Sequence, residues 1–256
     1  MPAGDTIVRA ARTLHQALAG RDVTGFTSVF PQLSRIDHDA PIRGRTIERA
    51  AAAGKHLLIW FSGDLVLRTH MRMHGSWHVY RPGERWQRPG HEMRITIETA
   101  DFHAVAFTVP VAEFLRATEI DRSDVLRHLG PDLLAADFDA AGAVSRIASR
   151  TDLAIADVLL DQNVIAGIGN IYKSEALFAA RINPFTPVTA LDQAQIARIV
   201  EKAVRLMTAS VDDARLSKWV YGRAGEPCRR CGTRILSRKQ GANARTTYWC
   251  PRCQQP

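Results

Sequence analysis

Residues 157–182 read DVLLDQNVIAGIGNIYKSEALFAARI. Val158, Leu159 and Leu160 form an apolar run, a short polar and glycine-bearing break follows, and a second periodic run begins at Ile171. Ile171, Leu177 and Phe178, helped by Ala180, are spaced to face one core from a second helix. Gly167 and Gly169 stand where the chain must turn, and glycine permits the positive φ angles such turns need. The pattern predicts helix, two tight turns, helix. Asn170 falls at the mouth of the second helix, where unpaired backbone N–H groups and the helix dipole favour an anion. Packing alone would also account for a Gly-x-Gly turn before a helix. A dinucleotide fingerprint is disfavoured, because Tyr172 stands where its third glycine belongs.

Downstream of this stretch, charge and cysteine are concentrated. Residues 215–256 carry ten Lys or Arg against one acid, Glu226, so the net charge of +8 sits in the tail of a near-neutral chain. A basic tail suits a polyanion such as a phosphate backbone, although a solvated charged surface would look the same. All four cysteines lie there, as Cys228-x-x-Cys231 and Cys250-x-x-Cys253 with eighteen residues between the pairs. That is the spacing of a zinc ribbon, in which four thiolates close around one structural Zn2+. Disulfides are the alternative, disfavoured by the lack of a visible secretory signal and of any other cysteine.

Upstream, the chain changes character. A capped amphipathic helix is expected from Asp5 or Thr6, with Ile7, Ala10, Ala11, Leu14 and Leu18 on one face and Gly20 at its end. Residues 23–109 are strand-like: VTGFTSVF, TIERA, HLLIWF, LVLRTHMRM, SWHVY, MRITIET and HAVAFTV are separated by glycine, proline and polar breaks. They predict a two-layer antiparallel sandwich. From Asp121 the pattern turns helical, through SDVLRHLG, FDAAGAVSRIASR, LDQAQIARIVEKAVRLMTAS and ARLSKWVYG. The expected class is α+β, with a β-sandwich domain over 1–118, a helical domain over 119–222 and a ribbon over 223–256. No run of 18 apolar residues offers a membrane span, and a cytoplasmic protein is expected.

Lys55 lies in a turn before a strand, in Gly54-Lys55-His56, and on pattern alone could be a solvated loop charge. In Thr69-His70-Met71-Arg72-Met73-His74-Gly75, Met71 and Met73 alternate with His70, Arg72 and His74. Strand periodicity would put one of these two sets in the core, without saying which.

The string LLDQNVIAGIGNIYKSEAL closely resembles the helix–two-turn–helix motif of the formamidopyrimidine-DNA glycosylase and endonuclease VIII family. The resemblance extends over nearly the whole chain, in family order. It implies base-excision repair of double-stranded DNA carrying oxidised bases or abasic sites, by a monomer of the bacterial cytoplasm that is both glycosylase and abasic-site lyase. It implies that Pro2, freed of Met1, is the nucleophile and that Lys55 reaches into the active site. Asn170, His70 and Arg245 would grip phosphates, with Lys173 among the DNA-binding residues, and Arg72, Met73 and His74 would form the wedge that fills the gap left by an expelled nucleotide. Residues 107–115, FTVPVAEFL, lack the arginine-rich pattern of the formamidopyrimidine branch, which favours the endonuclease VIII branch and oxidised pyrimidines. The chain departs from the family at position 3, where Ala3 replaces the glutamate acid/base. A methyl group cannot move protons, so base excision should be crippled. Asp5, the nearest acid in sequence, would point elsewhere. The competing readings are a catalytically silent homologue that binds damaged DNA and, less compatible with the Lys55 and Met73 motifs, a zinc-ribbon adaptor.

Overall fold

The computed structural model describes residues 3–214 and 217–255. Pro2, the expected nucleophile, lies outside them. The chain divides into two compact units, one formed by residues from Thr6 to Arg127 and one by Ala3–Asp5 with the residues from His128 onward.

The first unit begins with helix α1 (Gly4–Leu18), whose Ile7, Ala11, Leu14 and Leu18 are buried as their spacing predicts. Strand β1 (Gly25–Ser28) and helix α2 (Pro31–Asp39) follow. Helix α2 is not evident in the sequence pattern; Pro31 starts it, where a missing N–H costs nothing, and Leu33 alone is fully buried. The remaining strands are β2 (Ile47–Ala53), β3 (His56–Phe61), β4 (Leu65–His70), β5 (Ser76–Tyr80), β6 (Met93–Glu98), β7 (His103–Phe107) and β8 (Val111–Arg116). They form two four-stranded antiparallel sheets, ordered β1-β6-β7-β5 and β2-β3-β4-β8.

Leu57, Ile59, Phe61 and Leu67 from one sheet and Ile95, Ile97, Ala104 and Ala106 from the other share one core with α1, so the sheets are the layers of a sandwich. Strand β3 is buried along its whole length, because Leu58 and Trp60 on its other face pack under Ala117, Ile120 and Leu126. Strand β8, which directly follows Pro110, is not evident in the sequence pattern. It completes the second sheet by pairing with β4, Arg68 opposite Glu113. SDVLRHLG, expected as helix, is a succession of turns here.

The second unit holds α3 (Ala140–Ala148), capped by Asp139, whose carboxylate accepts from the Gly142 N–H, then α4 (Ile155–Val158), α5 (Asn170–Ala180) and α6 (Gln193–Asp212). Asp192 and Gln195 make a reciprocal capping box on α6. A hairpin of β9 (Leu236–Gln240) and β10 (Arg245–Trp249) follows. The described part of ARLSKWVYG, residues 217–222, is not helical.

Helix α5 departs from the single apolar face that its sequence suggests. Its residues from Tyr172 to Phe178 are all buried. Leu177 joins the helical core with Ile155, Val158, Ile165, Ile199 and Ala203, whereas Phe178 faces a separate cluster with Val220, Ile235, Cys228 and Cys250. Ile171, expected in the core, is only half-buried. On a third side, the Glu175 carboxylate accepts three backbone N–H groups, from Trp219 at 2.8 Å, Val220 at 3.0 Å and Tyr221 at 2.8 Å. One buried charge is thus met by three fixed donors, which anchor the chain as it leaves the helices for the ribbon. Replacing Glu175 by Gln turns one acceptor oxygen into a donor facing a donor. Denaturant unfolding of Glu175→Gln should show a loss of about 2–3 kcal/mol, and an unchanged midpoint would remove this role.

Candidate functional site

The two turns before α5 are stitched by one amide. Gln162 Oε1 accepts from the Gly167 N–H at 3.1 Å, while its Nε2 donates to the carbonyls of Leu160 at 3.0 Å and Ile168 at 3.2 Å. Gly167 has φ +95°, which a side chain would resist. Its carbonyl accepts from the Gly4 N–H at 2.8 Å. Gly169, the N-cap of α5, is required for a different reason, since a Cβ there would come within 2.9 Å of the Ala3 methyl. Ala3 is 5% exposed and belongs to the helical core. Ala3 and Gly4 are therefore held at the mouth of α5, which begins with Asn170. Asp5 does not face this mouth as a spare acid, because its carboxylate is buried and accepts from the Ser210 hydroxyl at 2.8 Å.

Asn170 and Arg245 come together through the hairpin. Asn170 Nδ2 donates to the Thr246 carbonyl at 2.8 Å, and Arg245, the next residue along, opens β10. The Asn170 Oδ1 is buried with no partner among the described residues. Lys173, expected to touch DNA, is instead an internal group. It is 1% exposed, and its ammonium donates to Thr247 Oγ1 at 2.7 Å. Thr247 in turn donates to Gln240, and Gln240 Nε2 donates to Asp157 at 3.1 Å. Burial above all, with Arg245 acting in the same sense and Asp157 against it, pushes the Lys173 ammonium down to about 8.

The cysteines are placed as their spacing predicts. All four sulfurs lie within 4.8 Å of one another, with Cys228 to Cys253 at 4.0 Å and Cys231 to Cys250 at 3.5 Å. Tetrahedral Zn2+ at a Zn–S distance of about 2.3 Å requires sulfurs about 3.8 Å apart, so the site fits that ion. Four thiolates fill its coordination shell, and the metal is structural. Gln254, absent from any sequence expectation, locks the ribbon's end: it accepts from the Cys250 N–H at 3.0 Å and donates to the Ile182 carbonyl at 2.8 Å.

In the first unit, Gly54 and Lys55 are the two-residue loop between β2 and β3, with φ +57° at Gly54 as such hairpins prefer. Lys55 is 4% exposed, so it is not a solvated loop charge. His56 and His70 lie close by, their rings edge to face at 4.9 Å. The strand expected to run to Met73 stops at His70. Arg72 adopts φ +46°, the Gly75 N–H donates to the Met71 carbonyl at 2.9 Å, and a Cβ on Gly75 would strike that same carbonyl. The turn decides which methionine is core. Met71 is 2% exposed within the sandwich, whereas Met73 is 54% exposed at the tip, flanked by exposed Arg72 and His74. Arg88 braces the turn by donating to the His74 carbonyl at 3.0 Å.

Two outcomes are expected from this geometry. Metal analysis should find one zinc per chain, and its removal by a chelator should abolish whatever binding depends on Arg245, since the hairpin loses its base. The Lys173 ammonium sits below its unfolded value of 10.5. The folded chain therefore binds fewer protons than the unfolded chain between about pH 8 and pH 10.5, and this group's contribution to stability rises with pH across that window. Denaturation of the wild type and of Lys173→Met should show the wild type gaining relative stability over that range. A constant difference would place the ammonium in water.

Comparison with known proteins agrees with this arrangement. Residues 1–110 match the formamidopyrimidine-DNA glycosylase N-terminal domain, residues 129–219 its H2TH domain, and residues 225–256 the zinc finger found in FPG and IleRS. A Streptomyces coelicolor protein named "Probable endonuclease 8 2" is 42% identical over 99% of this chain and 94% of its own. The Mycolicibacterium smegmatis "DNA-(apurinic or apyrimidinic site) lyase Nei2" is 36% identical over 99% of both chains. Lactococcus lactis formamidopyrimidine-DNA glycosylase, solved non-covalently bound to DNA containing an AP site, superposes with a TM-score of 0.86 at 23% identity, covering 99% of this chain and 100% of that one, which is a likeness of fold. No helix among the described residues is long and apolar enough to cross a membrane. The chain belongs to the formamidopyrimidine-DNA glycosylase and endonuclease 8 family.

Proposed function

We propose that the chain is a DNA base-excision repair enzyme of the endonuclease 8 type, acting as a monomer on duplex DNA with abasic sites and oxidised pyrimidines. In it the lyase step outlasts the glycosylase step. The observation that carries this reading is the seating of Ala3 and Gly4 against Gly169 and Gly167, at the mouth of the helix that begins with Asn170. It brings Ala3 and Gly4 to an anion-favouring helix terminus, whose Asn170 is bonded to the hairpin that carries Arg245. In the same reading Asn170, His70 and Arg245 grip phosphates, and Lys55 lends positive charge to the reacting sugar. Arg72, Met73 and His74 occupy the space of an expelled nucleotide; the exposed, apolar Met73 on a rigid turn suits that wedge. Lys173 serves from within, by holding Thr247 and thus the hairpin.

The secondary amine of Pro2 adds to the C1′ aldehyde of an abasic site, and loss of water leaves an iminium. Loss of a C2′ proton then breaks the C3′–O bond, a second elimination breaks C5′–O, and hydrolysis returns the free amine. An aldehyde is already electrophilic, so this sequence does not begin with protonation of a sugar ring. Removing an intact damaged base does, and position 3 offers only a methyl group. Asp5 is engaged with Ser210. The same facts favour one alternative, a homologue that binds damaged DNA and performs no chemistry.

Borohydride trapping on a duplex with one abasic site, read by intact mass and peptide mapping, separates the two. The lyase reading expects an adduct at Pro2 and, in Ala3→Glu, recovery of oxidised-pyrimidine excision by about 10²–10⁴-fold, the usual worth of a general acid. No adduct in either protein, with duplex binding retained, would leave the silent binder.

A further inference from the structure

Arg68 belongs to none of the motifs above, yet it is a buried cation engaged on two sides. It lies in β4 opposite Glu113 of β8 and is 4% exposed. Its Nε donates to Glu113 Oε1 at 2.6 Å, and its Nη1 lies 2.9 Å from His56 Nδ1. A guanidinium has only donors and does not release its proton. His56 Nδ1 must therefore accept, and the proton of that imidazole is on Nε2. The same logic holds for His70. Its Nδ1 receives the peptide N–H of Arg72 at 3.1 Å, and a peptide N–H can only donate. Both rings are thus held in one tautomer, edge to face at 4.9 Å.

A second proton on either ring would set N–H against N–H. The surrounding charges oppose it as well: Lys55, Arg68 and Arg72 are cations, and Glu113, the one acid in the group, is already bound to Arg68. Burial foremost, then His70, Arg68 and Lys55, pushes His56 down to about 3. Burial, then Arg72, Lys55 and Arg68, lowers His70.

We infer that Arg68, anchored by Glu113, is a positioning residue that holds His56, and through the ring contact His70, as neutral imidazoles with Nε2–H as the remaining donor. His70 then meets a DNA phosphate with a directed hydrogen bond rather than a charge. This rests on the phosphate role proposed above for His70. It gives Arg68 a role distinct from that of the cations that attract DNA, since it acts through the histidines and touches no nucleic acid.

The test uses the full zinc-loaded chain, labelled with ¹⁵N. Long-range imidazole spectra of the free protein, taken between about pH 5 and pH 8 where ordinary histidines titrate, read the tautomers directly. Affinity for a duplex with a tetrahydrofuran abasic analogue is measured over the same range. The wild type should show Nε2–H on both rings throughout, with no contribution to the pH dependence of affinity from either. Arg68→Met should free the His56 tautomer, so that Nδ1–H appears beside Nε2–H in the spectra while burial keeps the ring neutral, and should weaken duplex affinity by about fivefold, the worth of roughly one hydrogen bond. Arg68→Lys, which keeps a donor for His56, should restore much of the wild-type profile. An Nδ1–H or doubly protonated pattern on either ring of the wild type at neutral pH overturns the proposal, as do unchanged spectra in folded Arg68→Met. If Arg68→Met does not fold, the wild-type spectra alone decide. Absence of duplex binding by the wild type would overturn the phosphate role instead, and is told apart because the free-protein spectra do not depend on DNA.

Discussion

Helix α5 is buried along most of its length, and a helix so placed must satisfy every polar side chain it carries inward. Glu175 does so with three backbone N–H groups of residues 219–221. Lys173 does so with Thr247, and the amide nitrogen of Asn170 with the Thr246 carbonyl, while the Asn170 oxygen has no partner among the described residues. Each partner belongs to the chain segment that leads into the ribbon or to the ribbon's own hairpin. The obligation to pair buried polar groups therefore fixes where the hairpin lies on the helical core, and with it the position of Arg245. Zinc and Gln254 secure the far side of the same small module, which has too few apolar residues to hold itself.

A comparable economy governs the sandwich. Strand β4 cannot continue past His70, because Gly75 closes a turn on the Met71 carbonyl and Arg72 takes a left-handed conformation. That turn converts a strand-like alternation into one buried methionine and one exposed methionine. The turn that exposes Met73 is braced by Arg88 and backed by core. On β4, the buried Arg68 shares its donors between the partly exposed Glu113 and His56. Charges are costly to bury and weak evidence for stability; this one has a use in fixing imidazole tautomers.

Ala3 is buried against the turn that opens α5. The contacts that seat the start of the chain, Gly4 to Gly167 and Ala3 to Gly169, depend on backbone and on the absence of side chains. They place no demand on a functional group at position 3.

Much of this protein was legible in its sequence where a motif is a matter of spacing. The cysteine pairs, the Gly167-x-Gly169-Asn170 break, the amphipathic faces of α1 and α6 and the alternating strands each follow from a short period and a few residue types. What sequence could not decide were matters of which face and which partner. Lys55 looks like a solvated charge in a one-dimensional pattern and Lys173 is expected among the DNA-binding residues, and both are buried. Phe178 shares a helix face with Leu177 by spacing, yet a helix enclosed by two clusters gives them different neighbours. Arg68 pairs with Glu113, 45 residues away, and with His56 across a neighbouring strand. Local periodicity records exposure to one core at a time, whereas burial on several sides and hydrogen bonds between distant segments exist only once the tertiary structure has brought those segments together.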